Sequence, residues 1–393
     1  MIRILTFTTL YPNPVVPHHG VFVENRLRHL VASAMVRTRV VAPVPWCPLI
    51  GPAFAEYAQW VGVPPTDSRH GIPVLHPRFL RLPKIGMSTA PFFMYRALRP
   101  VVAKLLAEED VDLIDAHYFY PDGVAAVLLG RAFNKPVAIT ARGTDLNLIP
   151  RYAVPRRMIQ WAATQAAGLV TVCQALKDTL IDLGIADERV TVLRNGVDLE
   201  MFRRGDRPAA RARLGLDRPT LLSVGHLIER KAHDLVIKAL PMLPDCDLLI
   251  AGSGPEDANL RRLAQALGVE DRVRFLGRIG HQALRQVYEA ADVLVLASSR
   301  EGWANVLLEA MACGTPVVAS NVWGTPEVVA APEAGLLMET RTPDALADAV
   351  GRLLAAPPDR VATRAYAEGF SWDATTKGQI DLFARILAER GGS

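Results

Sequence analysis

Short apolar runs that end in small or polar residues recur along the chain, separated by stretches whose apolar positions have helical spacing. The runs are 2–8, 39–43, 111–117, 136–140, 168–172 and 190–194, then 220–225, 247–252, 273–277, 292–297 and 316–320. Runs this short and uniformly apolar predict parallel strands buried on both faces, and helical stretches such as 21–30 predict the crossovers of βαβ units. The pattern runs through twice, and the polar stretch Arg203-Arg-Gly-Asp-Arg-Pro lies between the rounds. An α/β protein of two doubly wound, Rossmann-like domains is expected: residues 1–200, a linker over 201–217, and 218–372, with a last helix over about 373–390 packing back on the first domain. Ligands of such sheets sit beyond the carboxyl ends of the strands, so substrate is expected in a cleft between the two domains. The stretch 46–99 interrupts the first round. It is rich in Pro, aromatic and basic residues and too long for a plain connection, which marks it as functional.

Composition narrows the class. With 393 residues, 50% of them hydrophobic and 21% charged, each domain can bury its own core. No apolar run reaches the roughly 18 residues that a membrane span needs. The first apolar run is short, β-branched and followed by Pro12 and Pro14, which suits a first strand better than an export signal. Cys47, Cys173, Cys246 and Cys313 lack metal-ligand spacing and fit a reducing compartment, so a cytoplasmic location is expected. The charge is uneven: residues 1–104 carry 12 Lys or Arg against three acidic residues. Such an end suits an anionic membrane surface or a solvated face; no nucleic-acid partner is expected.

The richest chemistry lies in Arg300-Glu-Gly-Trp-Ala-Asn-Val-Leu-Leu-Glu-Ala-Met-Ala-Cys-Gly-Thr-Pro-Val-Val-Ala-Ser. Residues 304–312 are strongly helix-forming, with Glu301 and Gly302 just ahead and Gly314 closing the helix. Glu301 therefore falls in the loop after a strand, and Glu309 about two turns into the helix. Between them stand the helix N-terminal amides of Asn305, Val306 and Leu307, which with the helix dipole suit a diphosphate. The two carboxylates would accept hydrogen bonds from hydroxyls, one of a sugar and one of a ribose. Arg230 and Lys231, at the loop-to-helix start after the run 220–225, are placed to neutralise a diphosphate as it leaves. A plain solvated basic pair is disfavoured there, because cations oppose the helix dipole by a few tenths of a kcal/mol. Gly252, in Ala251-Gly-Ser-Gly-Pro-Glu, marks a close-approach turn that lacks the third glycine of a dinucleotide fingerprint.

These residues resemble family 4 glycosyltransferases of the GT-B fold, over nearly the whole chain. Glu-Gly-Trp-Ala-Asn-Val-Leu-Leu-Glu carries the likeness, reinforced by the strand-end Gly225 with Lys231 and by the turn Asn195-Gly-Val-Asp198. The resemblance implies a nucleotide diphosphate sugar as donor, retention of anomeric configuration, and no metal or other cofactor. By it, Glu301 contacts the transferred sugar, Glu309 the ribose and Lys231 the phosphates. The chain departs from the family at His226, where Arg is common, leaving His226 or Arg230 as the second cation. It also has Trp303 where Phe is common. The N-terminal sequence resembles a branch making teichuronic-acid-type and other surface polysaccharides, which implies a glycan or lipid-linked acceptor. Phe79, Arg81, Lys84, Phe92, Phe93, Tyr95 and Arg96 would then rest on an anionic membrane.

In the first domain, Gly20 stands at a loop-to-helix start where its amide would approach phosphate, or serves as an ordinary turn glycine. His117 is expected at a strand's carboxyl end facing the cleft, where the family commonly has a His reaching the donor sugar. Arg142 and Asp145, in a Gly-Thr-Asp element like the family's, are candidates for the acceptor side. No nucleophile and base pair stands out, so front-face attack, with the departing phosphate taking the acceptor's proton, is the expected route. The competing readings are a nucleotide-sugar epimerase of the same architecture and a two-domain ligand-binding protein.

Overall fold

The computed structural model describes residues 1–47, 60–82 and 86–391. The chain divides into two compact units, Met1–Asn195 with Asp373–Ser393, and Gly196–Trp372.

The first unit holds β1 (Ile2–Phe7), β2 (Val36–Val41), β3 (Val44–Trp46), β4 (Thr66–Arg69), β5 (Ile72–Leu75), β6 (Arg78–Leu80), β7 (Leu113–His117), β8 (Val137–Ala141), β9 (Gly168–Thr171) and β10 (Val190–Val192). Eight of these strands form one sheet in the order β10-β9-β8-β7-β1-β2-β5-β4. All its pairings are parallel except β4 with β5. Every residue of β7, β8 and β9 is buried, which is why these strands read as unbroken apolar runs. The strand order reverses at β1, between β2 and β7, so the loops after β1 and β7 open at the switch point.

The second unit is a six-stranded parallel sheet of β11 (Thr220–Val224), β12 (Asp247–Ala251), β13 (Val273–Gly277), β14 (Val293–Leu296), β15 (Val317–Ser320) and β16 (Gly335–Met338). Its order, β13-β12-β11-β14-β15-β16, puts the reversal between β11 and β14.

Two stretches differ from their sequence reading, and the last helix does not. Within 46–99, β4 and β5 form a hairpin that extends the sheet; Arg69 pairs with Ile72, leaving His70 (φ 52°) and Gly71 (φ 77°) as a two-residue turn. Positive φ at both positions matches the twist of the strands. The proposed linker 201–217 contains the helix Arg207–Leu214, capped by the Asp206 side chain accepting from the Ala209 N–H at 3.0 Å. Arg211 Nη1 donates to Asp292 Oδ2 at 2.9 Å, so this helix is part of the second unit. The last helix, Trp372–Gly391, sends Leu382, Phe383 and Ile386 into the core of the first unit beside Ile4, Val40 and Val170. Burying three such side chains is worth roughly 1.5–3 kcal/mol each. A Cβ at Gly168 would stand 2.8 Å from Ile386 Cδ1, so the glycine is what lets the helix come this close.

Candidate active site

In the second unit the loops after β11 and β14 meet at the switch point. Backbone contacts stitch them together: the Ser299 N–H donates to Arg230 O at 2.9 Å, and Arg230 Nη1 donates to Arg300 O at 2.7 Å. The stitching brings two adjacent cations onto a carboxylate 70 residues after Lys231 in the chain. Lys231 Nζ donates to Glu301 Oε1 at 2.6 Å, and Arg230 Nη1 stands 3.5 Å from the same oxygen. Glu301 is only 7% exposed. Burial pushes its carboxyl up, but Lys231 and Arg230 outweigh that and hold it below its ordinary value. The site thus keeps an ionised carboxylate out of water, with two cations on it.

His226, the alternative second cation, is exposed, and its Nδ1 donates to Ser253 O at 2.5 Å. Arg230, and not His226, is the cation brought to Glu301. Gly225 and Gly252 explain how the loops after β11 and β12 pack: a Cβ on Gly252 would fall 1.8 Å from Gly225 O, and one on Gly254 2.4 Å from Leu227 O. Gly252 has φ 156° and Gly225 φ 151°, near the edge of the left-handed region that side chains avoid.

The helix after β14 is Asn305–Ala312, with Gly302 buried ahead of it and Ala304 in the capping position without a side-chain cap. Glu309 is therefore its fifth residue, a little over one turn in rather than two. Two of the three amides expected to be free are engaged: Asn305 N–H donates to Trp303 O at 3.1 Å and Leu307 N–H to Ala304 O at 3.0 Å. The tight first turn takes up these donors itself. Half-buried Glu309 accepts from the Tyr288 hydroxyl at 2.8 Å through Oε2. Burial pushes its carboxyl above the ordinary value, against the opposing pull of His281 and Tyr288.

Beneath the Lys231 loop, buried His233 faces Ser223 Oγ through Nδ1 at 2.8 Å. Burial, helped by Lys231, lowers this ring to about 4, so it stays neutral beside the cation cluster.

In the first unit His117 is fully buried rather than open at the strand end. Arg142 Nη2 donates to its Nδ1 at 2.5 Å, which leaves the proton on Nε2, 3.1 Å from Asp115 Oδ2. Burial lowers the ring to about 4 and keeps it neutral. Asp115 in turn accepts from Gln379 Nε2 at 2.9 Å, and Gln379 Oε1 accepts from the fully buried Arg26 at 2.7 Å. Arg142 also donates to Asn195 Oδ1 at 3.1 Å, and its guanidinium lies 5.6 Å from the Phe22 ring centre. Buried Asp145 accepts the backbone N–H groups of Phe119, Arg142 and Gly143 at 2.7, 3.1 and 2.6 Å. Its contacts are those of a loop anchor. Gly20 caps the helix Val21–Ala32 at φ 73°, and a Cβ there would fall 2.2 Å from the Leu10 carbonyl. Close approach of two backbones, rather than a generic turn, requires this glycine.

The reading of single residues missed Tyr288, Asp115, Arg26, Gln379 and the Ser223–His233 pair. Arg26 had a signal, being a charge set beside Val23, Leu27 and Leu30 on the buried side of a helix, which it shares with Glu24. Asp115 and His117 had another, their i, i+2 spacing on one strand.

Residues 27–201 match the family described as Glycosyltransferase Family 4, and residues 206–370 match Glycosyl transferases group 1. Only residues 1–26, 202–205 and 371–393 fall outside the two matches. The chain belongs to the family 4 and group 1 glycosyltransferases. The chain is 38% identical over 242 residues to the D-inositol 3-phosphate glycosyltransferase of Mycobacteroides abscessus, covering 58% of this chain and 54% of that protein. To the protein of the same description in Mycobacterium tuberculosis it is 39% identical over 220 residues, covering 52% and 46%. The chain thus spans about half the length of these curated relatives. Among solved structures, sucrose-phosphate synthase from Thermosynechococcus elongatus superposes with a TM-score of 0.80 at 21% identity, covering 99% of this chain and all of the other. Anabaena HepE in complex with UDP-glucose superposes with a TM-score of 0.73 at 20% identity, covering 99% and 100%. This glycosyltransferase has the GT-B fold of two Rossmann-like domains. The relatives compared are described as D-inositol 3-phosphate glycosyltransferases, and their descriptions do not single out a teichuronic-acid or surface-polysaccharide branch.

Proposed function

We propose that this glycosyltransferase moves a sugar from a nucleoside diphosphate sugar to an acceptor hydroxyl, with retention and without a metal. The ion cluster of Lys231, Arg230 and Glu301 at the β11/β14 switch point carries this reading. Lys231 and Arg230 would meet the diphosphate and supply the positive charge that a metal brings elsewhere, Glu301 the transferred sugar, and Glu309 the ribose. The likeness to HepE, solved with UDP-glucose, supports the donor class. Because Glu301 is held by two cations, it is a poor nucleophile. Attack is therefore read as front-face: the bond from the anomeric carbon to the diphosphate breaks, the bond to the acceptor oxygen forms, and the departing phosphate takes the acceptor's proton.

The descriptions of the relatives favour a phosphorylated cyclitol such as an inositol phosphate as acceptor. The decisive assay is nucleoside diphosphate release in EDTA from UDP-, GDP- and ADP-sugars, with and without inositol phosphate, alongside thermal melts with each nucleotide. One nucleoside diphosphate is expected to raise the melting temperature, release should require acceptor, and NMR should find the anomeric configuration retained. Stabilisation by NAD alone would overturn the donor reading, an inverted product the front-face route, and arrest by EDTA the metal-free reading.

A second reading, a lipid-linked acceptor met on an anionic membrane, is favoured by the helix Gly86–Glu108, where Phe92 is 51% exposed and Arg96 and Arg99 are also exposed. No described helix is long and apolar enough to cross a membrane. Of the residues first read as membrane-facing, Phe79 is buried in the core, Phe93 and Tyr95 are half-buried, and Lys84 lies outside the described residues. Flotation with anionic but not neutral liposomes is expected, and weakened in Phe92→Ala; flotation with neither removes this reading.

A further inference from the structure

The donor end assigned to Glu309 has a partner that no sequence motif marked. We propose that Tyr288 is a positioning residue, fixing the Glu309 carboxylate so that the site selects donors bearing both ribose hydroxyls. The proposal rests on the reading that Glu309 meets the ribose. Tyr288 lies on the helix His281–Ala290, is fully buried, and donates from its hydroxyl to Glu309 Oε2 at 2.8 Å. It is itself held from two further sides. Thr315 Oγ1 donates to the Tyr288 carbonyl at 2.5 Å, and the Phe202 ring meets the tyrosine ring edge-on at 5.9 Å between centres. Thr315 closes the loop after Glu309's own helix, and its N–H donates to Ala310 O at 2.9 Å. The phenol and the carboxylate are thus tied to one another through both side chain and backbone.

A glutamate on a helix has several rotamers, and a half-buried one loses binding energy each time it must be ordered. With Oε2 fixed by the phenol, the plane of the carboxylate is set before the donor arrives. The bond also matters for charge. Burial drives Glu309 towards its protonated form, and a donated O–H favours the ionised form that accepts hydrogen bonds from hydroxyls. The groups whose charge couples to it are His281 on the helix of Tyr288 and the Cys313 thiol; Arg360 and Arg364 lie on the helix Arg360–Glu368, which packs against the helix of Glu309. Arg360 donates to Thr315 Oγ1 and Arg364 to Ala312 O, whereas the Tyr288 hydroxyl donates to the carboxylate.

The test compares wild type, Tyr288→Phe and Glu309→Ala on a donor and its 2′- and 3′-deoxyribose analogues. Tyr288→Phe is expected to raise the donor KM about tenfold, the size of a lost hydrogen bond to a charged group, with kcat within about twofold. Its preference for the full ribose should shrink, and the acid limb of its kcat/KM profile should move to higher pH. A merely structural tyrosine would lower the melting temperature but move neither the ribose preference nor that limb, and this outcome overturns the proposal alone. If Glu309→Ala leaves both KM and ribose preference intact, the ribose reading of Glu309 fails and the proposal with it. Should Tyr288→Phe not fold, Glu309→Gln keeps the phenol and removes the titrating group: loss of the acid limb is expected, and its persistence overturns the proposal.

Discussion

Lys231→Ala is expected to abolish measurable donor binding and to lower the melting temperature by an amount that grows with pH. The side chain has two tasks that a methyl group cannot perform. With donor absent it holds Glu301 Oε1 at 2.6 Å, and Glu301 is only 7% exposed. Removing one partner of a buried pair strands the other and costs about 3–5 kcal/mol. With donor bound, the loss of a cation at the diphosphate removes roughly a hundredfold or more in affinity or rate. The pH dependence follows from the sign of the shift. In the wild type Glu301 lies below its ordinary value, so its pairing stabilises the fold above the unfolded pKa and the gain is lost as pH falls. Without Lys231, burial drives the carboxyl upwards, and a raised carboxyl favours the folded state at low pH and is penalised as pH rises. The gap in melting temperature between wild type and variant should therefore be wider at pH 7.5 than at pH 5. Titration calorimetry with nucleoside diphosphates checks the first task and melts at the two pH values the second. Wild-type nucleotide affinity in the variant would remove Lys231 from the phosphate site.

Why the second unit was so readable is a matter of where its chemistry sits. Lys231, Arg230 and Glu301 all lie in loops that directly follow parallel strands, and unbroken buried runs make those strand ends visible without any knowledge of packing. Knowing that strands β11 and β14 are neighbours is what turns two loops into one site, and that pairing is not local information. The first unit was less readable for the same reason. His117, Arg142 and Asp145 do lie near strand ends, but His117 and Arg142 are buried in a network that runs through Asp115 to Arg26 and Gln379, which follows Asp115 by 264 residues. Nothing in the spacing announces such a partner. The hairpin of β4 and β5 is hard to see in the sequence although His70-Gly71 is a two-residue turn signal, because Pro73 and the polar Thr66–Arg69 obscure the apolar alternation. The helix at 207–214 was hidden by its basic residues, whose contact with Asp292 makes it part of the second unit.

Glu301→Ala should act in the opposite sense to Lys231→Ala on binding, although the two side chains touch. Removing the carboxylate leaves Lys231 and Arg230, 2.6 and 3.5 Å from the lost oxygen, without their counter-charge. A diphosphate then meets two cations that no longer have to be taken from an internal partner, so nucleotide affinity should hold or rise. Because ligand-induced stabilisation follows the ratio of ligand concentration to Kd, the rise in melting temperature caused by nucleoside diphosphate should be at least as large as in the wild type. Turnover should nevertheless fall by about a hundred- to a thousandfold, the cost of losing a charged group placed where positive charge develops on the sugar. The stability cost should be smaller than for Lys231→Ala, since the cations left behind are the more exposed partners, with Lys231 at 15% and Arg230 at 28% exposure against 9% for the Glu301 side chain. The double variant should then be more stable than the sum of the single losses predicts, because neither charge is left stranded by the other. Full turnover in Glu301→Ala would refute its sugar-side role. A fall in nucleotide affinity matching that of Lys231→Ala would mean that the carboxylate serves only to hold the lysine, and that the sugar is met by some other group.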